Sequence, residues 1–161
     1  LTDFKVSFTK EDMLRAAAKY GRVVLHTMKM YRHLAGVFDC RPFELEMLRA
    51  AEGMVRILHV HGVGLELGRV LDYPCEVISV SDRLAGNPSL AQLRKMTDKC
   101  LMGGLDETRF QERTLPSLAA EIDDAVAQAG RQKFILAPGC TIPSFTPKRS
   151  LQFLREYTRG L

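Results

Sequence analysis

The 161 residues carry 23 Lys and Arg against 19 Asp and Glu, and are 46% hydrophobic and 26% charged. That composition belongs to one globular domain, and a surplus of +4 dispersed along the whole chain argues against nucleic-acid binding while leaving anionic substrates open. No stretch approaches the roughly 18 uninterrupted apolar residues of a membrane span, and the opening LTDFKVSFTKED lacks the apolar core of a signal peptide.

In chain order, residues 9–35 place apolar side chains at helical spacing, with Thr9 as N-cap and Glu11 and Asp12 in the first turn. This predicts a long first helix that contains His26 and His33. GVFDC at 36–40 is a short strand candidate. RPFELEMLRAAEG at 41–53 reads as a helix, with Pro42 near its start and Gly53 as its stop. MVRILHVHG at 54–62 is a strand, and GLELGRVLDYP at 64–74 is a short helix ended by Pro74. CEVISVSD is the next strand, followed by a Gly-Asn-Pro turn and a helix from N-cap Ser89 through Asp98. KCLMGGLD is a strand running into a glycine pair. Residues 114–130 form a helix with Pro116 in its first turn and Gly130 past its end. KFILAPG at 133–139 is the last strand, and residues 146–160 are the last helix. About five short apolar strands alternating with amphipathic helices mean a parallel sheet with helical crossovers, either doubly wound or part of a (β/α)8 barrel. No GxGxxG or GxxxxGK[ST] phosphate loop is present.

Polar residues gather after the strands: Asp39 and Cys40, His59 and His61, Ser81 and Asp82, Gly103, Gly104 and Asp106, and Cys140. In parallel α/β folds the C-terminal strand ends form the active face, because the loops that follow meet there. In ILHVHG, residues i and i+2 of a strand share one face, so His59 and His61 point the same way, as two satisfied core histidines or as two ligands. Cys140 sits in the tight turn APGCTIP, where an apolar residue has little to pack on. Asp82 and Asp106 are either catalytic carboxylates or caps, and Gly103 and Gly104 serve either a turn or close substrate approach. Cys75 and Cys100 fall at strand starts and read as small buried hydrophobes. With no CxxC pair and no disulfide framework among the four cysteines, the chain fits a reducing, cytoplasmic setting.

The succession ILHVHG, EVISVSDRLAG, SLAQLRKMTDKCLMGGLDE and FILAPGCTIPSFTP resembles the uroporphyrinogen decarboxylase superfamily. Residues 41–161 carry the likeness, and the final PGCTIPSFTP block is its most specific part. The resemblance implies a TIM (β/α)8 barrel, of which this chain supplies about the C-terminal five strand–helix units. It implies one of two chemistries: cofactor-free decarboxylation of a tetrapyrrole's acetate arms, or zinc-dependent methyl transfer between a corrinoid protein and a thiol. The arginine-rich motif and early aspartate of the decarboxylases are absent, and Gly139–Cys140 stands where they carry a Gly-His-Gly turn. The zinc methyltransferases carry a His-x-Cys pair and a later Cys; here the pair is His59 and His61, with Cys140 kept. The resemblance thus implies zinc held by His59, His61 and Cys140, with Asp39, Cys40 or Asp82 as a fourth group.

The expected function is therefore zinc-assisted methyl transfer involving a corrinoid and a thiol. The alternatives are a metal-free lyase of tetrapyrrole biosynthesis and a non-catalytic domain that binds a partner such as a corrinoid protein. Five units cannot close a barrel of eight strands, and an open half-barrel leaves unpaired edges and an apolar layer facing water. The sequence accordingly predicts a longer chain or a pairing with a second copy.

Overall fold

Why the apolar runs form strands is plain from their setting: Ile57–Val60, Val77–Val80 and Phe134–Pro138 are short and rich in aliphatic residues, and each is followed by a turn. The computed structural model describes residues 24–27 and 41–161. The strands are β1 (Val24–Thr27), β2 (Ile57–Val60), β3 (Val77–Val80), β4 (Cys100–Leu105) and β5 (Phe134–Pro138). They pair in parallel and lie side by side in the order β1-β2-β3-β4-β5. The helices are α1 (Arg41–Ala50), α2 (Leu90–Met96), α3 (Leu115–Ala129) and α4 (Lys148–Tyr157), and single 3-10 turns cover Leu67–Arg69, Phe110–Glu112 and Thr158–Gly160. Strands that follow one another in sequence and in space, all parallel, are consecutive units of a (β/α)8 barrel.

The helix termini are those the sequence marks. Ser89 caps α2 in a reciprocal box with Gln92, Thr114 accepts from Ser117 N–H at the start of α3, and Gly130 ends α3 at φ 78°. Two expectations need correction. Residues 9–35 are not one helix, because β1 occupies Val24–Thr27. The Val23–Val24–Leu25 run is β-branched and apolar, and pairing along β2 from Val24 opposite Ile57 to Thr27 opposite Val60 outweighs the local helical spacing. His26 therefore lies in a strand, opposite His59 in register. The stretch 64–74 holds one 3-10 turn at Leu67–Arg69, since so short a glycine-containing segment cannot recover the cost of helix nucleation. The strand expected over 36–40, with Asp39 and Cys40, and the position of His33 lie outside the described residues.

The sheet has two unlike faces. Leu58, Ile78, Leu101 and Phe134 stand opposite one another in register and pack with Leu90, Leu93, Ala125 and Ala129 under the helices. A second cluster joins Leu105, Phe110, Leu118 and Ile122 to Phe153, Leu154 and Tyr157 of α4. The alternate row, His59, Ser79, Met102 and Ile135, faces away from the helices, as successive strand residues must. Among the described residues no helix is long and apolar enough to cross a membrane.

Candidate metal centre

β2 is buried along most of its length and carries His59 on the face turned from the helices, with His61 on the same side just beyond the strand. The two rings lie 5.8 Å apart, centroid to centroid, and are tilted by 41°. His59 is buried, and its Nδ1 is 3.1 Å from Ser79 Oγ on the neighbouring strand. A histidine that ligates through Nε2 carries its proton on Nδ1, so this contact would fix both tautomer and ring orientation. His61 Nδ1 is buried and has no hydrogen-bond partner among the described residues.

Cys140 reaches the same place from the far end of the sheet. One ligand atom from each of His59, His61 and Cys140 lies within 4.8 Å of the others. A tetrahedral zinc site with bonds of about 2.0–2.3 Å separates neighbouring donors by roughly 3.5 Å, so small side-chain rotations close the set. Two imidazoles and a thiolate are a borderline-soft donor set that suits zinc, and three protein ligands with an open fourth position are the pattern of catalytic rather than structural zinc. The buried, unpartnered Nδ1 of His61 is the structural feature that best fits a metal or ligand bound here, because native interiors rarely leave such an atom unpaired. Asp39 and Cys40, considered as a fourth ligand, lie outside the described residues.

The strand-end carboxylates have other partners. Asp82 Oδ1 accepts the backbone N–H of Gly104 at 2.7 Å, and Oδ2 lies 3.4 Å from Arg83 Nε. Arg83 in turn donates to Gly104 O, to Asp124 and to the carbonyl of Glu121. Ser79 holds His59, while Asp82 ties the end of β3 to β4 and Arg83 carries the tie on to α3. Burial pushes its carboxyl above the usual range, against the pull of the Gly104 N–H and Arg83. Asp106 Oδ1 accepts from Thr108 N and Oγ1 at 2.9 and 2.6 Å, and Oδ2 accepts from Arg113 at 3.0 Å. Partial burial works to raise its pKa, but the Thr108 hydrogen bonds and Arg113 outweigh it and hold Asp106 below its ordinary value.

The glycine pair sits inside β4, and protein atoms occupy the space a side chain would need. A Cβ on Gly103 would lie 2.6 Å from Asp82 Oδ1. One on Gly104, at φ +105°, would lie 2.7 Å from Ala125 of α3. Cys75 is buried in the core at the foot of β3 and Cys100 is half-buried; burial raises the pKa of both thiols, which keeps them protonated.

Sequence reasoning missed Ser79, Asn87 and Glu107, and gave Ser81 no role. The i, i+2 spacing of Ser79 and Ser81 puts them on one side of β3 and just beyond it, but only the register, with Ser79 opposite His59, shows that this is the side of the histidines. Ser81 Oγ donates to Glu107 Oε1 at 2.5 Å, and both residues are buried. Asn87 Nδ2 donates to Ser81 O and to Gly62 O, each at 2.9 Å.

Consecutive parallel strand–helix units with two histidines and a cysteine meeting at the strands' C-terminal ends define a barrel-type α/β protein with a candidate metal centre. The uroporphyrinogen decarboxylase (URO-D) family model matches residues 18–161, and the chain belongs to that family. A search of the curated proteins finds no match.

Proposed function

We propose that this chain carries the metal site of an enzyme that transfers a methyl group from a corrinoid to a thiol with the help of zinc. The observation that supports this reading is the meeting of the His59, His61 and Cys140 donors within 4.8 Å. His59, oriented by Ser79, would bind with His61 and Cys140, leaving one position for the substrate sulfur. Zinc bound there supplies a Lewis acid that keeps a substrate thiol deprotonated near neutral pH. A thiolate held in that position would take the methyl group of a methylcorrinoid, the S–C bond forming as the Co–C bond breaks with its electron pair left on cobalt. Met102 and Ile135 continue the row of His59 and Ser79 as apolar surface, which suits a large, flat tetrapyrrole better than a small ion. A corrinoid protein is the partner such chemistry calls for.

A second reading, cofactor-free decarboxylation of a tetrapyrrole's acetate arms, is favoured by the family match itself. Elemental analysis of protein purified without a histidine tag separates the two. The proposal expects about one zinc per chain and methylation of a thiol by methylcobalamin. Metal-free protein that releases carbon dioxide from uroporphyrinogen would overturn it.

A further inference from the structure

His61 and Cys140 belong to strand ends three positions apart in the sheet, and something must hold them together. The end of β3 occupies that place. The main chain of Ser81 is fixed through Asn87, whose amide donates at once to Ser81 O and to Gly62 O; Gly62 is the residue after His61. The Ser81 side chain reaches the other way, donating to Glu107 Oε1. Glu107 and Ser81 together form the surface on which Gly139, the residue before Cys140, rests. A Cβ on Gly139 would lie 2.4 Å from Ser81 Cα, 2.8 Å from Ser81 Cβ and 2.8 Å from Glu107 Oε2. Only a glycine can sit so close, and its N–H donates to Leu105 O at 3.1 Å, which pins the same turn from below.

Glu107 is 6% exposed, and its Oε2 has no hydrogen-bond partner among the described residues. A buried carboxylate oxygen without a partner costs free energy, so the residue needs a reason beyond packing. It lies outside the group whose donor atoms converge, which places it beside the ligands rather than among them. We propose that Ser81 and Glu107 are positioning residues: a hydrogen-bonded seat that sets where the Gly139–Cys140 turn lies, and through it how well Cys140 meets the two histidines. The inference rests on the metal-site reading for its consequence, though not for its geometry.

The test compares Glu107→Ala, Glu107→Gln and Ser81→Ala in the full chain, with zinc affinity read by competition against a chelator. Positional support of a ligand predicts that Glu107→Ala and Ser81→Ala weaken zinc by about 10–100-fold. Glu107→Gln, which can still accept from Ser81, retains most of the affinity. Cobalt(II) substituted for zinc should lose thiolate charge-transfer intensity in the two alanine variants. Iodoacetamide labelling of Cys140 in metal-free protein, followed by peptide mass, should be faster in both than in the wild type. Unchanged affinity and labelling alongside a lower melting temperature would overturn the seat and leave a packing role. So would a Gln variant as impaired as the Ala variant, since charge rather than shape would then matter. If the wild type binds no zinc the proposed function fails, and the Cys140 labelling rates still decide this inference.

Discussion

Two sets of buried polar groups stand at the C-terminal ends of the strands, one on each face of the sheet, and they differ in how completely they are paired. On the helix side, Asp82 and Asp106 have both carboxylate oxygens engaged by Gly104, Arg83, Thr108 and Arg113. Glu121 Oε2 and Arg113 Nε lack hydrogen-bond partners there, but the same two side chains meet through Oε1 and Nη2 in an ion pair at 3.4 Å, so opposite charges lie side by side. On the other face, His61 Nδ1 and Glu107 Oε2 are buried without a hydrogen-bond partner, and among the described residues neither side chain faces an opposite charge, although Glu107 Oε1 accepts from Ser81. A polar residue at a strand end is therefore weak evidence of chemistry. A polar residue whose hydrogen-bonding capacity the protein leaves unused is stronger evidence, because burying it carries a cost that folding alone does not recover.

The most direct way to break this contrast is to remove a ligand. Cys140→Ser or His61→Ala should take zinc from about one per chain to a trace, because three protein ligands are the minimum for a catalytic site. Elemental analysis reads this, and full occupancy in Cys140→Ser would sink the centre. Gly139→Ala is next in size. Its methyl would press on the backbone of Ser81 at 2.4 Å, which cannot yield as a flexible side chain would. Overpacking of this kind should cost about 1–3 kcal/mol of stability in a urea titration and carry zinc affinity down with it. An alanine variant with wild-type stability and zinc content would show that the turn has slack.

The helix-side network supplies the converse. Asp82→Ala strips the buried Gly104 N–H of its acceptor and Arg83 of a charge partner, and should cost about 1–3 kcal/mol in stability. Zinc content of the protein that remains folded should not change. Loss of zinc at unchanged stability would instead place Asp82 with the ligands.

Much of this was legible in the sequence, and what was missed has physical causes. Alternation and capping signals locate β2 to β5 and α1 to α4, since Ser89, Pro116 and Gly130 act locally. The i, i+2 spacing of His59 and His61 puts them on one face without knowledge of the fold. β1 was hidden because its four residues are too few to outvote the amphipathic spacing around them, and its pairing with β2 is non-local. Ser81, Asn87 and Glu107 were illegible as a group. Their connection runs through backbone carbonyls, an absent Cβ and a Ser81–Glu107 hydrogen bond that spans 26 residues, none of which a local side-chain pattern records.

The smallest expected effect lies at the opposite end of the strands and serves as a control for the contrast. Arg56 and Glu76 form a multiply hydrogen-bonded pair at the feet of β2 and β3, and Arg56 N–H donates to the same carboxylate at 2.6 Å. The Arg56 hydrogen bonds hold Glu76 at about 2, below its usual 4.5. A carboxyl whose pKa is depressed on folding stabilises the native state above its unfolded value and loses that contribution as pH falls through its folded value. The window is thus from about 4.5 down to about 2. The Glu76 side chain is 44% exposed, so solvent screening limits the pair to about 1 kcal/mol or less. Glu76→Gln should be less stable than the wild type by that amount near neutral pH, and the gap should close as the titration reaches the bottom of the window. Zinc content should be the same in both proteins, because nothing in the pair touches the ligand face. A gap that stays constant with pH would mean that shape rather than charge holds the feet of β2 and β3 together.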